Sequence, residues 1–326
     1  MDWVMISTKD RINNILEEIE KISQGEEIVV AFSGGLDSTV VSALAIQALG
    51  REKVLAITVS FEEYSYSKSL RNIQDISRAL DLKLKIVQGK REQERVLKKG
   101  PACNKCTRVA KLGKVKKETS GRLVLTGSNQ SDTWGKRGLK LYNGFYAPLL
   151  ELNKEEIRKI ADYFDIKILQ IGENKFREGC KLKHLLKPLA APHYHGQAVA
   201  EANELLLSIL EEEGYESVLA NVKIIGPLNK NIGLVNISPL PEEKLKRKII
   251  KELKKVKTLE QVEFLDRPIK LIIKVNKGQF DNQHSRYWLE KGRLQPDFSV
   301  PTEAEWLLTT NKSLSTFQVI DYKIIG

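Results

Sequence analysis

The sequence predicts an α/β fold, a doubly wound parallel sheet followed by a smaller α+β region. Three observations lead there. Short apolar runs alternate with helical patterns through the first half of the 326 residues; a glycine-rich turn joins one such run to the helix after it; and beyond Cys180 the alternation gives way to a helix, two strands and another helix. Alternating strands and helices make right-handed crossovers, which place consecutive strands parallel.

Each element follows from local pattern. Ile12, Ile15, Ile19 and Ile22 recur at three- and four-residue intervals and Gly25 closes that helix. Residues 27–32 (EIVVAF) read as a buried strand, residues 33–35 as a tight turn, and residues 38–49 as a helix ended by Gly50. A strand at 54–59, a helix at 68–80 and a strand at 82–87 continue the series. The basic stretch 90–100 leads to Cys103 and Cys106 and a Lys-rich helix to about residue 119. Residues 122–126 form the next strand, 127–132 a polar turn, and 135–143, basic and aperiodic, a mobile loop. Pro148 and Leu149 precede a helix at 154–164, and 166–171 reads as the last strand of this unit.

Downstream, 196–214 is helical, 218–225 and 233–237 are strands, and 241–257 is a very basic helix. Residues 269–275 and 315–325 are strand-like around an irregular stretch that holds Trp288, Pro296, Phe298 and Trp306. The expected units are 1–178, 179–260 and 261–326.

Composition narrows the function. At 41% hydrophobic and 29% charged the chain is globular, and no apolar run approaches the ~20 residues needed to cross a bilayer. The amino terminus, MDWVMISTKD, lacks the basic flank and apolar centre of a signal peptide, so the expected location is the cytoplasm. Lys and Arg number 53 against 42 Asp and Glu, a net +11. That excess suits a polyanionic partner, although a Lys- and Glu-rich surface also marks heat-adapted proteins. Three cysteines, an odd number, argue against a disulfide framework and make each one a question of metal or catalysis.

The sharpest motif is Ser33-Gly34-Gly35-Leu36-Asp37-Ser38-Thr39. Two glycines let the backbone approach an anion, the following helix offers free amides and its positive dipole end, and three hydroxyls add donors. The lysine of GxxxxGK[ST] and the GxGxxG fingerprint are both absent. An Asp beside phosphates makes sense through Mg2+.

This heptad resembles the SGGxDS signature of the PP-loop ATP pyrophosphatases, which cleave ATP between the α- and β-phosphates to adenylate a substrate oxygen. Gly127-Ser128-Asn129-Gln130-Ser131-Asp132 after a strand, and Pro148-Leu149 before Lys154-Glu155-Glu156-Ile157, are similar to later landmarks of that family. The resemblance spans about residues 25–170. It implies that Ser33, Gly34, Gly35, Asp37, Ser38 and Thr39 hold the pyrophosphate of ATP and Mg2+, with Thr58 and Val59 near the adenine and Gly127 near the nucleotide. Asp132 either assists the metal or caps the next segment.

Cys103 and Cys106 form a C-x-x-C pair, and Cys180 stands apart. By spacing alone this is open among zinc, redox and iron-sulfur chemistry, and His184 allows a four-ligand zinc site to be drawn. Within the PP-loop group the pattern resembles the iron-sulfur tRNA thiolases, in which three thiolates hold a [4Fe-4S] cluster and leave one iron open for sulfide. That resemblance assigns Cys103, Cys106 and Cys180 to the cluster and makes Cys103, Cys180 and Asp37 the catalytic residues. The cysteine-rich zinc modules that many such thiolases carry are missing here. The chain also resembles the sacrificial sulfur transferases that build the lactate racemase nickel cofactor, which carry a helix, strand and strand module like residues 196–257. Residues 260–326 match neither family.

The resemblance thus implies a Mg-ATP-dependent sulfur transferase with tRNA as acceptor and sulfide or a sulfur carrier as donor. Rival readings are transfer to the carboxylate of a nucleotide-derived cofactor, an ATP-dependent amide or lysidine ligase, and a non-catalytic RNA-binding protein. No membrane partner is expected, and a homodimer is left open. Residues 90–99, 136–140 and 244–257 would meet RNA phosphates, and Trp134, Tyr142 or Phe145 would stack on bases. His193 and His195 alternate along an extended loop and stay outside the catalytic set.

Overall fold

The computed structural model describes residues 7–131, 139–168 and 180–325. Helix α1 (Thr8–Ser23) starts where the Ser7 hydroxyl accepts the Asp10 amide at 3.1 Å, and buries Ile12, Ile15 and Ile19. β1 (Ile28–Ala31) is apolar throughout because it lies inside the sheet, and the glycine turn leads from it into α2 (Leu36–Leu49). That helix buries every residue from Ser38 to Ala45, wedged between the sheet and α1. β2 (Val54–Ser60), α3 (Ser67–Ala79), β3 (Lys83–Gln88) and α4 (Lys90–Leu97) follow. The basic stretch is therefore mostly helix. Next come the short α5 (Cys103–Cys106), a wide π turn (Thr107–Leu112), α6 (Gly113–Lys117) and β4 (Val124–Leu125). β5 (Leu141–Tyr142) and β6 (Phe145–Tyr146) form a hairpin, and α7 (Lys154–Tyr163) begins at a capping box of Asn153 and Glu156.

These strands make one sheet in the order β3-β2-β1-β4-β6-β5, parallel except for the edge strand β5. The chain winds outward from β1 to β3, then returns to place β4 on the other side of β1. Ligands of such sheets bind beyond the carboxyl ends of the strands where the winding reverses. Here that point lies between β1 and β4.

Beyond Cys180, α8 (Gln197–Glu212), β7 (Leu219–Ile225), β8 (Ile232–Ser238), α9 (Glu243–Leu253) and β9 (Gln261–Phe264) build a three-stranded sheet with two helices. β10 (Ile269–Val275), α10 (Lys277–Asp281), α11 (Gln283–Leu289), β11 (Thr302–Leu308) and β12 (Phe317–Ile324) form a second small sheet in the order β11-β10-β12. Shared apolar clusters join the parts. One gathers Phe61, Tyr64, Leu97 and Cys106 of the first unit with Leu182, Leu206 and Val235; another packs Leu186, Ile225 and Leu234 against Leu271, Leu294 and Phe317. Among the described residues no helix is long and apolar enough to cross a membrane.

The alternating strands and helices stand where pattern put them, with two kinds of departure. The loop expected at 135–143 lies partly outside the described residues, and its described end is the β5 strand. Asn143 (φ 51°) and Gly144 (φ 74°) supply the two left-handed residues that a tight hairpin turn requires. Residues 166–168 are not a strand, although Ile166 and Ile168 pack on the core, and the rest of that expected strand lies outside the described residues. β9 was hidden because it is only four residues long (QVEF), and β11 because two glutamates separated by one alanine stand near its start (TEAEWLL).

Candidate functional site

The turn after β1 is held by its own hydroxyls. The Ser33 amide donates to Ser38 Oγ at 3.2 Å, the two hydroxyls lie 3.1 Å apart, and Ser38 Oγ and Thr39 Oγ1 donate to the Gly35 carbonyl at 3.0 and 2.9 Å. Gly34 has φ +72°, and a Cβ there would come within 2.5 Å of Ile73 Cγ1, so only glycine fits. The result is a concave run of backbone at the start of α2, a helix long enough to present free amides and a dipole to an anion.

The turn after β4 closes on this cradle. A Cβ on Gly127 would lie 2.9 Å from the Asp37 backbone carbon and from the Ser38 nitrogen, which means the two turns touch backbone to backbone. Asn129, fully buried, donates to Asp37 Oδ2 at 3.1 Å and accepts the Ser131 amide at 3.0 Å. Lys154, the first residue of α7, pairs with the same Oδ2 at 2.5 Å. Asp37 Oδ1 is buried and has no hydrogen-bond partner among the described residues. An orphaned carboxylate oxygen beside an amide-lined cradle fits a hard cation held jointly with phosphate oxygens, so Asp37 suits Mg2+ and Ser33, Gly34, Gly35, Ser38 and Thr39 suit the phosphates.

Thr58 and Val59 end β2 beside this site. The Thr58 hydroxyl donates to the Phe32 carbonyl at 2.7 Å, and Val59 packs into two apolar clusters, so both residues shape the wall. Lys154 and Asn129 belong to the site but were not singled out from sequence as site residues. Each sat inside a quoted landmark, yet only the fold turns them onto Asp37. Asp132, Trp134 and Lys136 lie outside the described residues.

The second corner is built from the cysteines. Gln93, buried on the first turn of α4, donates its amide to Cys180 Sγ at 3.3 Å and to Cys106 Sγ at 3.6 Å. Cys180 forms a backbone bridge with Ser65, just past β2, while α4 starts just past β3. Thus the thiols stand beyond the carboxyl edge of the same sheet that carries the glycine cradle. Cys103 is exposed and accepts from Arg293 Nη2 at 3.5 Å. Burial, and then the adjacent Cys180, push the Cys106 thiol up to about 12; burial also raises Cys180, with Lys111 opposing. Metal binding here would release protons.

Gln93 gathers only two of the three thiols, Cys106 and Cys180, while Cys103 contacts Arg293 instead. Among the described residues, no three His, Cys, Asp or Glu side chains are grouped closely enough to hold a metal ion, so the thiols as they stand are not a preassembled ligand set. The drawn zinc site does not form: His184 is buried against Lys223, whose Nζ lies 3.2 Å from Nδ1. His193 and His195 belong to a helical turn (Pro192–Gly196) rather than an extended loop, and His195 Nδ1 pairs with Asn231 Oδ1 at 2.8 Å.

Residues 8–170 match the sequence profile of the NAD synthase family. The chain is 28% identical over 162 residues to the NH(3)-dependent NAD(+) synthetase of Pyrococcus furiosus, covering 47% of this chain and 62% of that one. It is 32% identical over 161 residues to the protein of the same name from Pyrococcus horikoshii, covering 46% and 61%. Against a subunit of the glutamine-hydrolyzing GMP synthase of Methanococcus maripaludis it is 27% identical over 175 residues, covering 48% and 56%. The chain therefore spans less than two thirds of the length of these curated relatives.

Proposed function

This chain belongs to the NAD synthase family, within the PP-loop group of ATP-using proteins, and on that premise we propose that it is a Mg-ATP-dependent sulfur transferase. The observation that carries the reading is the gathering of Cys106 and Cys180 on Gln93, with Cys103 next in line, at the sheet edge that also holds the glycine cradle. The cradle would hold the β- and γ-phosphates of ATP, and Asp37 would hold the Mg2+ that neutralises them. An acceptor oxygen attacks the α-phosphorus, the bond to the bridging oxygen breaks, and pyrophosphate leaves into the cradle. Sulfur then adds to the activated carbon and AMP departs with the oxygen, so carbonyl becomes thiocarbonyl with no change of oxidation state. A [4Fe-4S] cluster on Cys103, Cys106 and Cys180 would supply an iron that binds sulfide. The acceptor in this reading is a tRNA base.

A second reading is favoured by the family match itself: two of the relatives named above are NH(3)-dependent NAD(+) synthetases, so the alternative is an ATP-dependent ligase that uses ammonia as nucleophile. The two part at the cysteines. Anaerobic incubation of the full chain with Mg-ATP, sulfide and bulk tRNA, followed by nucleoside mass spectrometry, should yield a thionucleoside together with AMP and pyrophosphate. AMP formed only with a small carboxylate and ammonia, by a variant with all three cysteines changed to Ala, would replace sulfur transfer with amidation.

A further inference from the structure

We infer that one face of α11 and of the turn after it is a docking surface for single-stranded RNA beside the cysteine corner. His284, Tyr287, Trp288 and Lys291 fall at i, i+3, i+4 and i+7, the spacing of a stripe that a helix ordinarily buries. Here all four are exposed, with Tyr287 and Trp288 each 55% accessible. The opposite side does the packing: Leu289 and Leu294 are buried with Phe298 and Phe317. The outward rings are held in place. Trp288 Nε1 donates to His284 Nε2 at 2.7 Å, and the Tyr287 and Trp288 rings meet edge to face at 6.0 Å. Rigid flat rings can stack on bases with little loss of side-chain freedom.

The charges around this face are available. Among the described residues, Lys277, Arg286, Lys291 and Arg293 form no ion pair; Lys291 reaches only Gln295 Oε1 at 3.1 Å, and Arg286 lies 5.4 Å over the Phe280 ring. Elsewhere the cations are partly neutralised: carboxylates engage Lys246 and Lys248 of α9, Lys255 just past it, and Lys140, while Lys244, Arg247 and Lys251 of α9 form no ion pair among the described residues. Position adds the link to chemistry. Arg293, stacked 5.1 Å over Phe317, touches Cys103, and Lys105 and Arg108 are exposed on the segment that carries that cysteine. Exposed aromatic faces, unneutralised cations and the absence of any aliphatic side chain among the four suit unpaired bases on a phosphate backbone; a duplex hides its base faces. This rests on the proposed function only for its acceptor, since binding needs neither ATP nor iron.

The test is fluorescence anisotropy of the full chain with a labelled unstructured RNA and with a duplex of equal length, at ~0.15 M salt. The single strand should bind more tightly, and the Tyr287→Ala/Trp288→Ala double variant should bind it about tenfold more weakly or worse. Lys291→Ala should flatten the salt dependence by roughly 0.7 in log-log slope. Trp288→Phe should restore most of the stacking, and thermal melting of each variant checks the fold. Equal affinity in the double variant and the native chain, equal affinity for duplex, or no RNA binding at all would overturn the inference; so would a double variant altered only in self-association. RNA binding through this face without thionucleoside formation would remove sulfur transfer and leave the surface. Thiolation indifferent to the double variant would do the reverse.

Discussion

The glycine cradle and the cysteine corner stand at one edge of one sheet, yet they are built in opposite ways. The cradle is local: seven consecutive residues, tied by hydroxyls to their own backbone, with a second turn pressed against it at Gly127. The cysteine corner is assembled from distant chain, Gln93 on one helix, Cys106 on another, Cys180 far along, and Arg293 from the last unit. A local site depends on backbone geometry and survives changes elsewhere, whereas an assembled one fails when any contributing unit moves. The cradle, Cys103 and Cys106 lie within the residues that match the family, whereas Cys180 and Arg293 lie beyond them.

Four changes would break or sharpen that contrast. The largest effect is expected from Asp37→Ala, which removes the orphaned carboxylate oxygen and should lower pyrophosphate release on the order of a thousandfold, measured by a coupled phosphate assay. Iron uptake at the cysteines should persist, because the two corners share no side chain; its loss would show that they are one site. Next, Cys180→Ala should abolish visible iron absorption after anaerobic reconstitution and the thiolated product with it. Full product formation by this variant would take the cysteine corner out of the reaction. Lys154→Met, which unpairs Asp37, should reduce kcat/KM for ATP by about ten- to a hundredfold, with steady-state kinetics as the measure.

The smallest effect on activity concerns pH and lies outside both corners. Burial, with the Lys187 ammonium near it, lowers His195 to about 4, opposed by the Asn231 hydrogen bond and Glu260. Between its ordinary value of about 6.5 and that value, the unfolded chain holds a proton that the folded chain refuses. Stability should therefore be full above pH ~6.5 and decline as pH falls toward 4, by at most about 3 kcal/mol. Melting curves across that window should flatten in His195→Gln; an unchanged slope would assign the acid sensitivity to other groups.

How far the sequence reads depends on whether the signal is local. The first crossovers were legible because β1 is a continuous apolar run closed by a glycine turn and β2 is a second, nearly continuous apolar run after the next helix. The hairpin at Asn143-Gly144 was equally local, but the surrounding cations drew attention to charge instead of turn chemistry. Lys154 was visible only as part of a capping segment, since nothing in its neighbourhood says that it faces residue 37. The histidines near 193 read as extended because alternation over three residues cannot be told from a helical turn.

Sequence by itself therefore determined the doubly wound class, the glycine turn between strand and helix, and the odd trio of thiols, all properties written in contiguous residues or in counting. Only the tertiary structure decided that Asn129 and Lys154 converge on Asp37, that Gln93 gathers Cys106 and Cys180, and that the last unit brings Arg293 to Cys103. Those contacts join residues tens to hundreds of positions apart. Their geometry comes from strand order and from which helix faces the shared cores bury, and neither is encoded in the spacing of any one segment.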